Sequence, residues 1–268
     1  LNRQEEDRRI FRELIRFLGK KKPSAKFNGR RVLEIGKLFL GTPYADGTLE
    51  MKGHKHLVVN LREFDCVTFV ENVVALVCLV KSRKKSFETF RSLLQKIRYR
   101  HGRFQGYCSR LHYFSEWIHD NQKRGNLRDV TAEIGGRPFR KVINFMTKHP
   151  DLYPPLKNNA NLQRMKSVER TIGRRSLFFV PKKALRRFED QICDGDLIAI
   201  TTNKEGLDVQ HVGLATRVKD RIHLLHASRI EGKVTLSKKT LYCYLMESRA
   251  RSGIMVARVG DVDLCSLQ

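Results

Sequence analysis

Nowhere in this 268-residue chain is there an uninterrupted apolar run of the ~18 to 20 residues that a membrane-spanning helix needs. The longest candidate, from Val67 to Val80, is broken by Thr68, Glu71 and Asn72, so no transmembrane segment is expected. Acidic residues are scarce: 28 Asp and Glu stand against 53 Lys and Arg, for a formal net charge of +25. Such a field suits anionic partners. The basic pairs and triplets, from Lys20-Lys21-Lys22 to Lys238-Lys239, are spread along the chain and are not interleaved with exposed aromatics, so no specific nucleic-acid binding is expected. The six cysteines, Cys66, Cys78, Cys108, Cys193, Cys243 and Cys265, lack CxxC spacing. Cys108 and His112 are one helical turn apart, but no second pair completes a zinc site, and a chain this long can rely on its core without a disulfide scaffold. Repeats and low-complexity tracts are missing too. The first residue is Leu1, with no basic-then-apolar leader, which fits removal of an upstream signal peptide.

What is present changes character midway. Ile10, Phe11, Leu14, Ile15 and Leu18 recur at helical spacing, and a lysine run before Pro23 ends that helix. Val32, Ile35, Leu38 and Phe39 predict a second helix ending at Gly41-Thr42-Pro43. The segment from Cys66 to Leu79 is apolar nearly all round, as expected of a helix in the middle of a core. Ser86 caps a helix carrying Phe87, Phe90, Leu94 and Ile97, and Leu111, Phe114 and Ile118 predict another. Residues 149–175, rich in Pro, Asn and basic side chains, read as a long loop. From Leu177 the pattern becomes extended: strands are expected near 177–180, 197–202, 211–217, 221–227, 233–236 and 253–259, with helices at 182–192 and 240–247. Helices followed by neighbouring strands predict an α+β fold with an antiparallel sheet.

The candidate chemistry starts at Asp65-Cys66. Aspartate suits the cap of a helix whose free N–H groups favour a negative sulfur at Cys66 and can also hold an oxyanion. A thiolate nucleophile needs a base. His211 lies in His211-Val212-Gly213-Leu214-Ala215, where alternation puts Gly213 and Ala215 on its face and leaves room beside the ring. His223 or His226 on the next strand can orient it. A two-residue turn at Lys219-Asp220 or Val218-Lys219 selects His226, whereas a three-residue loop or bulge selects His223. Three histidines on one hairpin are also conceivable metal ligands, though no carboxylate or cysteine joins them at familiar spacing. Neither a metal nor another cofactor is expected.

Gly41-Thr42-Pro43-Tyr44, Phe64-Asp65-Cys66, Gly195-Asp196-Leu197, His211-Val212-Gly213 and His226-Ala227-Ser228, in that order, resemble the motifs of NlpC/P60 cysteine peptidases. These are papain-like enzymes that cleave peptide or amide bonds in bacterial peptidoglycan. Asn60-Leu61-Arg62 to Glu71 and Ser109-Arg110-Leu111-His112-Tyr113-Phe114 resemble one branch more closely, the DUF1460 family of N-acetylmuramoyl-L-alanine amidase-like proteins. The resemblance runs from about Ile35 to Val259. It implies a single NlpC/P60-like domain over 1–268, with 1–34 as an N-terminal helical extension and 149–175 as a loop insertion. By the same resemblance Cys66 is the nucleophile, His211 the base and His226, rather than His223, the third residue. Tyr44 lies by the oxyanion, and Asp65, Arg110, His112 and Tyr113 contact substrate. The wider family has Ser-Gly after Asp-Cys, where this chain has Val67-Thr68.

The implied partner is peptidoglycan or its muropeptide fragments, and the implied location is periplasmic or otherwise exported. The implied reaction is hydrolysis of the amide between the lactyl group of muramic acid and L-alanine. Cleavage deeper in the stem peptide, non-catalytic binding of an anionic envelope polymer and metal-dependent hydrolysis are the competing expectations.

Overall fold

The computed structural model describes residues 2–19, 29–49 and 57–259. The lysine run before Pro23, His54, His56 and Cys265 lie outside them. Helix α1 (Arg3–Gly19) buries Phe11, Leu14 and Leu18, and α2 (Gly29–Lys37) buries Val32, Leu33 and Ile35, the apolar stripes that fix their inward faces. Helix α3 (Cys66–Lys81) is buried at every position from Thr68 to Leu79. Helix α4 (Phe87–Arg98) begins at Ser86, whose hydroxyl accepts the Thr89 N–H at 3.1 Å.

One charge inside α3 needs a partner. Glu71 accepts from Arg98 Nε at 2.6 Å, and Arg98 Nη1 donates to the Val58 carbonyl at 2.6 Å, with both side chains buried. Removing either member would strand the other charge in the core, at a cost of about 3 to 5 kcal/mol, so the pair fixes α3 against α4.

Helix α5 (Phe114–Lys123) starts after Leu111, which packs in the core just ahead of it rather than on the helix. Two short strands follow, β1 (Arg128–Asp129) and β2 (Arg137–Pro138), then the single turn of α6 (Phe145–Lys148). The loop expected over 149–175 is corrected here. After 3-10 turns at Pro150–Leu152 and Pro154–Lys157 the chain forms α7 (Asn159–Gly173). The prolines sit in the first turns of those short helices, where a missing N–H costs nothing, and Asn158 caps α7 by accepting the Asn161 N–H. Met165, Glu169 and Ile172 form its buried stripe.

Strand β3 (Phe178–Pro181) precedes α8 (Leu185–Phe188), a single turn between 3-10 segments where one continuous helix was expected over 182–192. Then come β4 (Leu197–Thr202), β5 (Val209–Val218), β6 (Arg221–Ser228), β7 (Lys233–Thr240), α9 (Leu241–Met246) and β8 (Arg251–Arg258). The strands form one antiparallel sheet in the order β2-β3-β8-β4-β5-β6-β7, with β1 also paired to β8. The α+β expectation is met.

Alternation gives the sheet two faces. Val212, Leu214, Leu225, Ala227, Met255 and Ala257 pack with the α1 to α4 helices. Ile198, Ile200, Ala215, Ile222, Leu224 and Ile254 point the other way, to Leu185 of α8 and to Leu241 and Leu245 of α9. Strands β5 and β6 turn at Lys219-Asp220 and pair from Val218 with Arg221 to Leu214 with Leu225. Beyond that point β6 stays with β7 as far as Ser228 and Lys233, while β5 follows β4 through a bulge after Ile200. The seam between β5 and β6 therefore opens, and α3 packs on both strands.

Candidate active site

Cys66 is the first residue of α3. Asp65 caps it through a reciprocal pair: the Thr68 N–H donates to Asp65 Oδ1 at 2.7 Å and the Asp65 N–H to Thr68 Oγ1 at 3.0 Å. The departure from Ser-Gly at Val67-Thr68 thus supplies the second half of a capping box. The segment before it is held by Asp7 of α1, which accepts from the Leu61 N–H at 2.8 Å and Arg62 Nε at 3.2 Å. On the other side, residues 41–44 run along β7: Gly41 N–H donates to Val234 O and Tyr44 N–H to Gly232 O, and Tyr44 then bridges to Phe64. This lays Tyr44 beside the cysteine turn. Its hydroxyl donates to Asp46 at 2.5 Å, and Asp46 is also paired with Arg229 at 3.3 Å.

The surroundings of Cys66 work against the expected thiolate. Burial pushes the thiol up to about 12, and the Asp65 carboxylate that caps the helix adds to the rise. The backbone N–H groups of Val212, Cys66 and Val67 oppose this without reversing it. The Val212 contribution has a geometric meaning: the sulfur faces the backbone of β5 one residue from His211.

The two-residue turn at Lys219-Asp220 is the case in which His226 shares the face of His211. His223 is opposite Thr216, on the other parity, and its Nδ1 meets the Ser237 carbonyl at 2.9 Å. His211 Nε2 and His226 Nδ1 are 2.6 Å apart, with the rings edge to face. Gly213 permits this. A Cβ there would stand 2.9 Å from His226 Cβ and 2.8 Å from the Leu225 carbonyl, so any side chain would push the second ring away. Both histidines are neutral: burial, with His226 and Arg251 adding to it, lowers His211 to about 3, and burial with Arg251 lowers His226 to about 4. Among the described residues no hydrogen bond joins His211 to Cys66, and the Nδ1 edge of His211 is unpaired.

Arg251 and Tyr244 escaped the sequence reading. Tyr244 of α9 has its ring 6.3 Å from that of His211 and 5.7 Å from that of His226, and the guanidinium of Arg251 of β8 lies 3.8 Å from the centroid of the Tyr244 ring. Nothing in their local sequence marks them, because they meet only through the fold.

Arg110, His112 and Tyr113 are placed by α5. Its N-terminus is held by Asp208, which accepts the Ser115 N–H at 2.8 Å and the Val209 N–H at 2.7 Å, tying it to the start of β5. Tyr113 is buried, donating to Glu169 at 2.7 Å and accepting the Met146 N–H at 2.9 Å. His112 Nε2 meets the Tyr107 carbonyl at 3.1 Å, and burial lowers its ring to about 3. These two polar groups are used inside the protein. Gly195-Asp196 is a structural entry to β4, where Asp196 takes both Nε and Nη2 of Arg258 at 2.8 Å. Among the described residues no group of three or more His, Cys, Asp or Glu is arranged to hold a metal ion, and no helix is long and apolar enough to cross a membrane.

The family model described as AmiA-like, N-acetylmuramoyl-L-alanine amidase-like, matches residues 34–254, which span every element of this site. The chain belongs to that family. An N-acetylmuramoyl-L-alanine amidase from Bacteroides uniformis has a similar crystal structure, with a TM-score of 0.82 and 39% identity, covering 87% of this chain and 99% of that one. A Bacteroides fragilis structure named as a xylanase candidate is similar at a TM-score of 0.80 and 39% identity, covering 84% and 100%. A Legionella pneumophila protein carrying the DUF1460 family model shares the fold at a TM-score of 0.75 and 23% identity, with 97% of each chain covered. Comparison with curated proteins finds no match.

Proposed function

We propose that the protein is a papain-like cysteine amidase of the NlpC/P60 superfamily that hydrolyses the amide between the lactyl group of N-acetylmuramic acid and L-alanine in peptidoglycan fragments, outside the cytoplasm. The observation that carries the reading is the 2.6 Å contact of His211 Nε2 with His226 Nδ1 where the β5–β6 seam opens beside Cys66. Only one proton can occupy that contact. For His211 to act as base, it carries that proton on Nε2 and donates to His226 Nδ1, which leaves His211 Nδ1 as a lone pair. His226 is the orienting third member.

In the proposed reaction the Cys66 thiol gives its proton to His211 Nδ1 as sulfur bonds to the amide carbon. The oxyanion is held by the free N–H groups at the start of α3. On collapse the C–N bond breaks, and His211 returns the proton to the departing L-alanine nitrogen. Water then hydrolyses the thioester with His211 again as base. A thiol with a raised pKa beside a neutral imidazole suits concerted transfer rather than a preformed ion pair, and contacts that are long without substrate commonly tighten when it binds. Asp65 sets the helix start. Tyr44 reaches the oxyanion once its hydroxyl leaves Asp46, Arg110 meets the substrate, and His112 and Tyr113 shape the adjoining wall.

A glycoside hydrolase such as a xylanase needs two carboxyl groups flanking the bond. The acids near Cys66 are committed to a helix cap and to an ion pair. The test is incubation of purified protein with muropeptides and mass analysis of the products. Release of intact stem peptide is expected, and Cys66→Ala should end it. Cleavage within the stem would move the assignment to an endopeptidase. Undiminished cleavage by Cys66→Ala would refute the cysteine mechanism, and salt-sensitive binding without cleavage would leave an anionic-polymer binder.

A further inference from the structure

Arg251 is a cation in an unusual place. It is part-exposed, has its guanidinium carbon 3.8 Å from the Tyr244 ring centroid and spends Nη1 on the Tyr244 carbonyl. No carboxylate pairs with it among the described residues. Glu247, which follows α9, is held by Lys239 of β7, and Lys182 is turned to the Ser248 carbonyl. From β5 and β6 it is faced by His211 and His226, both neutral, and Tyr244 on its own side also feels Cys66. An unneutralised guanidinium beside a base that must become imidazolium works against catalysis, since like charges disfavour each other. The fold nonetheless holds it there by a cation–π contact and a backbone carbonyl that takes Nη1.

We propose that Arg251, presented by Tyr244, is the recognition residue for a substrate carboxylate close to the scissile bond. The chemistry is that of an acidic peptide: a planar fork suits a carboxylate in two-point contact. Because Arg251 packs on Tyr244, whose ring is 6.3 Å from that of His211 and 5.7 Å from that of His226, the carboxylate it holds is the first one beyond the bond cut. On the amidase reading, on which this inference rests, that is the α-carboxylate of the second stem residue, D-glutamate. Docking it removes the opposing charge from beside His211, so an acidic substrate helps to ready its own base.

The experiment uses two ligands, N-acetylmuramyl-L-alanyl-D-glutamate γ-methylamide and the same compound with its α-carboxylate converted to carboxamide. Binding to the Cys66→Ala protein is measured by calorimetry, and cleavage is measured with the Cys66 enzyme. The native Arg251 should favour the acid in both. Arg251→Gln should weaken the acid alone by about ten- to a hundredfold, the range for a charge-assisted contact, and leave the amide within about threefold. Arg251→Lys should lose part of the preference, and it keeps the proposal testable if the glutamine variant folds poorly. Arg110→Gln separates the two arginines. Equal binding of acid and amide by the native protein, equal losses on both ligands in Arg251→Gln, or a preference abolished by Arg110→Gln alone would overturn the inference. Preferential binding of the acid without cleavage would uphold it while refuting the amidase reading.

Discussion

At its turn the β5–β6 hairpin is laddered from Val218 with Arg221 to Leu214 with Leu225, and Ala215, Ile222 and Leu224 are sealed under α8 and α9. At its other end the same strands part, His211 and His226 face one another across the gap, and Gly213 is bare. The closed end follows the ordinary rule that buried strand residues are apolar and paired. The open end breaks it with two imidazoles kept neutral by burial, a glycine with no side chain, and a guanidinium that has no counter-ion among the described residues. Stability is invested at one end and relaxed at the other, which is how a site is set into a rigid scaffold.

The sharpest way to break the contrast is to remove the base. His211→Gln should lower kcat/KM by about 10²- to 10⁴-fold with thermal unfolding little changed, and retention of activity would remove His211 from the mechanism. Next in size is Gly213→Val, which drives a side chain into His226 Cβ and the Leu225 carbonyl. It should cost about 1 to 3 kcal/mol in denaturant unfolding, and kcat/KM should fall at least about tenfold. Normal activity in this variant would mean that the histidine contact is not needed.

A smaller effect is expected with pH. Both histidines are lowered in the fold, to about 3 and about 4, from an ordinary 6.5. The unfolded chain therefore takes up protons first as pH falls below 6.5, and stability present above that value is lost progressively down to the folded values. Unfolding at pH 7, 5 and 4 should show this, and the loss should be smaller in His211→Gln. The least change is expected at the closed end. Thr216 Oγ1 is buried without a hydrogen-bond partner, so Thr216→Val should raise stability by about 0.5 to 1 kcal/mol and leave activity alone. A loss of activity there would mean the two ends are coupled.

How much could be read from the chain differs by region for physical reasons. Helices α1, α3 and α4 were legible because their apolar spacing and the Ser86 and Asp65 caps are local signals. Helix α7 was not, since Pro154, Pro155 and Asn158 look like loop punctuation, and one member of its buried stripe is the acid Glu169, whose partner Tyr113 is far away in sequence. Cys66 and His211 were candidates from their surroundings alone. His226 and His223 could be separated only by resemblance until the turn length was known. The thiolate expectation weighed the helix end and left out burial and the charge of Asp65 itself, both of which oppose it. Arg251 and Tyr244 were invisible, since a contact between α9 and β8 leaves no trace in either local sequence.

Asp208 has a mechanical consequence. One of its carboxylate oxygens holds the Ser115 N–H in the first turn of α5 and the other holds the N–H that opens β5. The strand that carries His211 therefore cannot slip along its neighbours without uncapping a helix, and α5 cannot tilt without tugging on that strand. A single buried side chain acts as a rivet through two layers, so the segment leading into α5 and the strand that carries the imidazole move together or not at all.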